Sequence, residues 1–234
     1  MSASQSPDSA DTLPAIEIET APQPRYAVIW LHGLGADGHD FEPIVDTFDR
    51  ERLPAIRFVF PHAPMRPVTV NGGYVMRAWY DVYSQDFSHR REDAQGVRDS
   101  AQSLLALMAR ENARGIADER IVLAGFSQGG AIVLHAGLRH PRRLAGIVAL
   151  STYVPLADTL ATEACAANRN VPIFMAHGHD DGMIPYAFGE RSGALLRAAG
   201  YPVVWHGYAV EHGVCIEELR DIETWLHDVL AGAA

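Results

Sequence analysis

The sequence predicts an α/β protein with a mostly parallel central sheet and helices on both faces. Short apolar runs, of the kind that form buried parallel strands, alternate along the chain with stretches of helical periodicity. One of these runs leads directly into Gly-Phe-Ser-Gln-Gly at residues 125–129, and a helical stretch follows at once. The alternation predicts the sheet, and the strand–Ser–helix junction indicates where its functional edge lies.

Strands and helices are expected in alternation from residue 15 onward. Residues 15–19 alternate apolar and charged side chains, as a half-exposed edge strand does. The longest helical stretch places apolar residues at 97, 101, 104, 105 and 108, which lie on one face at a period of 3.6. The predicted buried strands are 27–31, 56–60, 121–124, 146–150, 172–176 and 203–208, and the predicted helices are about 40–49, 92–113, 129–140, 156–168, 186–199 and 214–231.

Length and composition favour one soluble domain. The chain has 234 residues, which suits a single α/β domain, and it shows no internal repeat or second composition regime. We therefore expect residues 14–234 to form one domain, preceded by a disordered tail at residues 1–13, which are rich in Ser, Asp and Pro. The net charge of −10 argues against a nucleic-acid partner and against adhesion to an anionic membrane.

The lack of a recognisable targeting signal and the spacing of the cysteines predict a cytoplasmic protein. The N-terminus has no apolar signal-peptide core. The sequence contains no run of about eighteen apolar residues, so we expect no stable membrane insertion. Cys165 and Cys215 have neither a C-x-x-C nor a zinc-site spacing, so we expect small buried thiols in a reducing compartment.

Ser127 is the candidate nucleophile. A serine at the apex of a sharp strand-to-helix turn is the nucleophile elbow of the α/β-hydrolase fold. The turn needs glycine at 125 and 129, because side chains there would collide with the neighbouring strand and helix. The N-terminus of the following helix also offers free N–H groups to a developing negative charge.

A serine hydroxyl needs a base, and the base needs an orienting acid. In this fold the acid and then the histidine follow the serine in the chain, each after a strand. The predicted strand 172–176 is followed by Asp180 and Asp181, two acid candidates, and the strand 203–208 by His212, the candidate base. His206 falls within its strand and is interpreted as structural.

Two backbone N–H groups should form an oxyanion hole. Gln128, which follows the nucleophile, is one candidate donor. Leu34 is the other, because it lies between Gly33 and Gly35 in a glycine-rich loop after the strand 27–31. A phosphate-binding loop is the competing interpretation, but neither of its glycine patterns occurs in this sequence.

The segment 61–86 fits neither the strand nor the helix period. A loop of this length in a compact domain is usually functional. It carries apolar side chains among turn-forming residues, and Met65, Val75, Met76 and Trp79 are predicted to wall an acyl pocket. The alternative is that Trp79 is a core residue.

Several motifs in matching order resemble the phospholipase/carboxylesterase family, which includes bacterial carboxylesterases and acyl-protein thioesterases. They are Leu31-His-Gly-Leu-Gly35, Phe60-Pro-His-Ala-Pro64, Ala78-Trp-Tyr-Asp81, Gly125-Phe-Ser-Gln-Gly-Gly130, His177-Gly-x-x-Asp181-x-x-Ile-Pro185 and Glu211-His212. The resemblance spans about residues 14–230. It implies the α/β-hydrolase fold and the triad Ser127, Asp181 and His212, with Asp181 chosen over Asp180 by its spacing to Ile184-Pro185. It also implies the oxyanion donors Leu34 and Gln128.

The predicted function is a serine carboxylesterase that hydrolyses short- to medium-chain acyl esters through an acyl-enzyme, without a cofactor or metal. Acyl-protein thioesterase or lysophospholipase activity is the alternative, because ester and thioester hydrolysis use the same machinery. The partner is thus a small-molecule acyl ester or thioester, and a homodimer is an expectation drawn from relatives that dimerise.

Two interpretations from other classes compete with this one. His177-x-His179-x-Asp181 resembles the H-x-H-x-D pattern of metallo-hydrolases, but residue 182 is Gly where a further ligand is needed. A catalytically inactive binding protein of the same fold is the second, although such proteins usually lack one triad member.

Overall fold

A computed structural model describes residues 12–84 and 91–232 of the chain. Its main sheet has seven strands, of which the first in the chain pairs antiparallel with its neighbour, and all other neighbouring strands are parallel. The predicted mostly parallel sheet is therefore confirmed. The strands of this sheet are β1 (Ala15–Glu19), β2 (Tyr26–Leu31), β3 (Ile56–Pro61), β6 (Ile121–Phe126), β7 (Gly146–Leu150), β8 (Ile173–Gly178) and β9 (Val203–Tyr208). They lie side by side in the order β1-β3-β2-β6-β7-β8-β9, and β1 pairs antiparallel with β3. Between β3 and β6, a separate hairpin contains β4 (Met65–Val68) and β5 (Tyr74–Arg77).

Helices cover both faces of the main sheet. They are α1 (Ala94–Ala113), α2 (Gln128–Arg139), the short α3 (Leu160–Glu163), α4 (Tyr186–Ala198) and α5 (Ile216–Ala231). Short 3₁₀ helices occupy Glu42–Thr47, Thr69–Asn71, Asp118–Arg120, Ala157–Thr159 and Ala166–Asn168. No helix in the described ranges is long and apolar enough to cross a membrane.

The period-2 alternation of the central strands divides the core into two layers. On β2, Ile29 and Leu31 belong to the layer that also contains residues of α1, α2 and α4, whereas Val28 and Trp30 belong to the opposite layer, which contains residues of α5. All four side chains are at most 1% exposed, because a central parallel strand is covered on both faces.

The register of the sheet aligns the ends of the strands that carry the candidate site. Leu31 of β2 pairs with Gly125 of β6, and Gly178 of β8 pairs with Tyr208 of β9. Because parallel strands end at the same edge, the loops that follow them start side by side.

The structure corrects three predictions about local structure. The expected helix at 40–49 is the 3₁₀ helix Glu42–Thr47, and the expected helix at 156–168 is broken into three short pieces. The second stretch is interrupted because Ala164 and Cys165 have extended backbone conformations, which end the helical turns before them. The irregular segment 61–86 contains the β4–β5 hairpin up to residue 84, and its last two residues lie outside the described part.

The remaining differences concern single residues. Cys165 and Cys215 are free and half-buried rather than buried. The expected tail, residues 1–13, lies outside the described residues except for its last two, of which Leu13 packs against the core.

Candidate active site

The turn between β6 and α2 holds Ser127 in an unusual backbone conformation. Its φ is 54° and its ψ is −119°, values that a residue with a side chain seldom adopts. The close approach of the chain explains the two glycines: a Cβ on Gly125 would lie 2.4 Å from the Gly129 carbonyl carbon, and one on Gly129 would lie 2.3 Å from Leu31 O. The turn therefore stores strain of the kind that is found at functional sites.

Ser127, His212 and Asp181 form one hydrogen-bonded chain. The Ser127 hydroxyl lies 3.0 Å from His212 Nε2, and His212 Nδ1 lies 2.7 Å from Asp181 Oδ2. In this arrangement Nδ1–H donates to the carboxylate, so Nε2 is the acceptor that faces the serine. The three residues follow β6, β9 and β8, as the sequence predicts.

Asp181 is buried, and both of its carboxylate oxygens accept hydrogen bonds. Oδ1 accepts from the N–H groups of Met183 and Ile184, both at 2.8 Å, while Oδ2 accepts from His212. Burial by itself raises the pKa of this carboxyl, but hydrogen bonds from His177, His212 and the Ile184 N–H outweigh burial and hold the pKa well below the ordinary range. Asp181 is therefore ionised at neutral pH and accepts from the His212 ring.

His177 at the end of β8 is a second histidine on the same carboxylate. Its Nε2 lies 3.1 Å from Asp181 Oδ2 and 2.9 Å from Ile184 O, so its N–H is shared between the two oxygens. His179 lies elsewhere, with its ring 4.6 Å from that of Tyr186. In the described parts of the chain, no three His, Cys, Asp or Glu side chains are grouped so that they could hold a metal ion.

The loop after β2 brings Leu34 to the same edge of the sheet. Leu34 lines the cavity at Ser127 together with Gln128. Among the described residues, the N–H groups of Leu34 and Gln128 donate to no protein acceptor. Two unpaired donors beside a nucleophile are what an oxyanion hole requires.

His32 holds the loop after β2 in place through hydrogen bonds of its ring, a role that was not predicted from the sequence. Its Nε2 accepts from Ala63 N at 3.0 Å, so its Nδ1–H donates to Gly33 O at 2.7 Å. Burial lowers the pKa of His32 to about 4, so the ring is neutral at neutral pH and keeps this single tautomer. The indole of Trp79 adds a further contact, donating to His32 O at 2.8 Å. The only sequence signal for this role is the position of His32 directly after a buried strand.

A cavity of about 350 Å³ opens at the candidate triad. Its walls are largely apolar and include Phe126, Met76, Val70, Val82 and Ile184. A concave apolar cavity with a few convergent polar groups is the usual form of a small-molecule site.

The cavity corrects the predicted pocket wall. Of the four expected residues, Met76 lines the cavity, but Met65 and Val75 do not, being 58% and 52% exposed. Trp79 is 1% exposed and belongs to the core, as the alternative interpretation stated. The hairpin explains the difference, because Val75 and Met76 are consecutive strand residues and point to opposite faces.

Gln128 connects the nucleophile turn to the wall of the cavity. Its side-chain oxygen accepts from Trp79 N at 3.0 Å, and its amide donates to Tyr80 O at 2.9 Å. Both bonds are buried, so the segment Ala78–Tyr80 is held against the start of α2.

Comparisons with known proteins agree with this geometry. A family model described as Phospholipase/Carboxylesterase matches residues 13–230. "Acyl-protein thioesterase 1" of Neurospora crassa is 39% identical over 230 residues, which cover 95% of this chain and 92% of that protein. The solved structure of SOBER1 from Arabidopsis thaliana has a TM-score of 0.83 at 33% identity and covers 88% of this chain and 99% of its own. Acyl-protein thioesterase 2 from Zea mays has a TM-score of 0.81 at 29% identity, with coverages of 92% and 99%.

Proposed function

Because this chain belongs to the phospholipase/carboxylesterase family and is an ester or thioester hydrolase, we propose that Ser127, His212 and Asp181 are its catalytic triad. The hydrogen-bonded chain from Ser127 Oγ through the His212 ring to Asp181 carries this proposal. Leu34 and Gln128 are the proposed oxyanion donors, supported by their unpaired N–H groups at the cavity.

The proposed reaction proceeds through an acyl-enzyme. Ser127 Oγ attacks the acyl carbonyl carbon while its proton passes to His212 Nε2. The carbonyl oxygen becomes an oxyanion that accepts hydrogen bonds from the two backbone N–H groups. When the tetrahedral intermediate collapses, the leaving thiolate or alkoxide takes the proton from His212. A water molecule then repeats the sequence on the acyl-enzyme and releases the carboxylic acid.

The substrate that we propose is an acyl thioester on a protein cysteine. The support is the name of the relatives: those from Neurospora crassa and Gibberella zeae, 39% and 36% identical over 230 residues, are both acyl-protein thioesterases. A carboxylesterase for short- to medium-chain acyl esters is the second candidate, supported by the modest size of the cavity at Ser127.

A pair of matched peptides separates the two candidates. One carries an octanoyl group on a cysteine sulfur and the other carries it on a serine oxygen, in the same sequence. We expect kcat/KM to be higher for the thioester peptide than for the ester peptide. The ratio of the two kcat/KM values should exceed the ratio of the rates at which hydroxide hydrolyses the two peptides without enzyme. Equal reactivity after that correction, together with good turnover of p-nitrophenyl esters, would favour the carboxylesterase.

The triad itself is tested by Ser127→Ala, with Ser103→Ala on α1 as the matched control. The variant should lose covalent labelling by a fluorophosphonate and about three or more orders of magnitude in kcat, because the remaining oxyanion hole supplies some catalysis. The control should keep both. Retention of more than about a tenth of the activity in Ser127→Ala would remove Ser127 from the mechanism.

A further inference from the structure

A second cavity lies next to the one at Ser127, and the two share one residue. This side cavity has a volume of about 220 Å³ and is lined by Val154, Ala157, Phe188 and Leu195, among others. Tyr153 lines both cavities. Its side chain is therefore where the two spaces meet.

The ring of Tyr153 is held in place from its tip. Its hydroxyl lies 2.7 Å from the hydroxyl of Tyr80, which also lines the cavity at Ser127. Both tyrosines are at most 5% exposed. A buried hydroxyl pair of this kind favours one position of the ring, because moving the ring would break the hydrogen bond between the two hydroxyls.

The backbone on either side of Tyr153 is fixed as well. Thr152 donates its hydroxyl to Ser127 O at 2.7 Å, which ties the segment to the nucleophile turn. Val154 N donates to Ser192 Oγ at 3.1 Å, which ties it to α4. Tyr153 thus lies between two anchored neighbours and forms a rigid part of the wall.

The side cavity has the character of an apolar extension. Val154 and Leu195 supply aliphatic surface, and Phe188 supplies an aromatic ring, on one face of which lies the guanidinium of Arg191, a further lining residue, 4.2 Å from the ring centre. Glu92 also lines this cavity, but one of its carboxylate oxygens accepts from Leu156 N at 3.0 Å. The chemistry that such a space accepts is a hydrocarbon chain.

We propose that Tyr153 sets the acyl-length limit of this enzyme by closing the passage from the cavity at Ser127 into the side cavity. The proposal rests on the proposed function, since it places the acyl chain of the substrate in the cavity at Ser127. Acyl chains that fit in front of the ring are bound with increasing strength as they lengthen. Longer chains meet the ring and gain nothing further.

The test is a series of p-nitrophenyl esters of increasing acyl length, measured on the wild type, Tyr153→Ala and Tyr153→Leu. In the wild type, kcat/KM should rise with chain length and then level off or fall. Tyr153→Ala should move this point to longer chains, with roughly a fourfold gain for each methylene that enters the side cavity. Tyr153→Leu should shift it less, and it serves as the main test if the alanine variant does not fold.

Two further variants show whether the location matters. Tyr201→Ala creates a similar void in the same hydrophobic layer but lines neither cavity, so its chain-length profile should match the wild type. Tyr153→Ala combined with Leu195→Trp refills the side cavity and should return the limit towards that of the wild type.

The outcomes separate this proposal from the proposed function. An active Tyr153→Ala or Tyr153→Leu with an unchanged profile would overturn the assignment of Tyr153, as would a double variant that keeps the extended profile. If the wild type neither hydrolyses any ester or thioester nor reacts with a fluorophosphonate, the proposed mechanism itself is wrong.

Discussion

Two adjacent aspartates in the loop after β8 have different surroundings. Asp181 is 7% exposed, accepts four hydrogen bonds and contacts His212 Nδ1. Asp180 is exposed, and its backbone N–H bonds Val210 O. The spacing to Ile184-Pro185 favoured Asp181 in the sequence, and these contacts give a physical basis for the same choice.

We therefore predict that Asp181→Asn and Asp180→Asn have very different effects. An amide at 181 cannot stabilise the protonated ring and favours the wrong His212 tautomer, so kcat should fall by about four orders of magnitude. Asp180→Asn keeps its backbone bond and is the natural control, with kcat within about a factor of three of the wild type. Steady-state kinetics on one ester would check both, and the reverse order would move the acid one residue upstream.

At the scale of elements, the segment after the β4–β5 hairpin supports the candidate oxyanion loop. Trp79 is buried, donates its indole N–H to His32 O and its backbone N–H to Gln128 Oε1. Arg77 O accepts from Gly35 N at 2.9 Å, which adds a contact on the other side of Leu34. The hairpin and its exit thus hold the loop of Leu34 and the start of α2 together.

Trp79→Ala should destabilise the protein rather than change its substrate preference. Loss of a buried aromatic side chain costs about 3–5 kcal/mol, to which the lost bond to His32 O adds. Met76→Ala is the matched variant, because Met76 is half-buried and lines the cavity. Met76→Ala should alter KM across an acyl series, while its free energy of unfolding should fall by no more than about 1 kcal/mol.

Urea unfolding and the acyl-length profile of both variants would check this contrast. A Trp79→Ala protein of normal stability with a changed profile would restore Trp79 to the pocket wall.

At the scale of the whole molecule, one buried carboxyl on α5 links stability to pH. Glu218 is 1% exposed, and burial raises its pKa to about 8; the hydrogen bond from the Cys215 N–H opposes this increase, and the charge of Asp221 adds to it. Among the described residues, its Oε1 has no hydrogen-bond partner. Because the folded pKa lies above the ordinary value of 4.5, the folded state binds this proton more tightly than the unfolded chain.

The free energy of unfolding should therefore fall as pH rises. The contribution of Glu218 is fully present below about pH 4.5 and is lost progressively as the pH rises through about 8. Its size is on the order of a few kcal/mol, or about 5 °C or more in melting temperature for a chain of this length.

Glu218→Gln removes the titration while keeping the size and an acceptor for Cys215 N. Its melting temperature should change less between pH 6 and 9 than that of the wild type, and it should exceed the wild type at the upper end. Glu217→Gln, on the exposed side of α5, is the control and should follow the wild type. Identical slopes for all three proteins would mean that Glu218 is charged in the folded state at neutral pH.

The sheet, most of its strands and the residues that meet at its edge follow from patterns in the amino-acid sequence. A period of two or 3.6 is a local property, so it predicts β2, β6 and α2 within one or two residues. Parallel strands end at one edge of a sheet, so chain order predicts that Ser127, His212 and an acid after β8 lie close together, and the family resemblance selects Asp181 over Asp180.

The directions of side chains outside these periods depend on how separate elements pack against each other. Trp79 and Met76 lie in a segment rich in proline and glycine, and which of them faces the cavity depends on the β4–β5 pairing. The hydrogen bond of His32 to Ala63 and that of Tyr153 to Tyr80 join residues far apart in the chain, and the raised pKa of Glu218 arises from its burial. Burial and hydrogen-bond partners are set by the packing of separate elements, and no local pattern in the sequence encodes that packing.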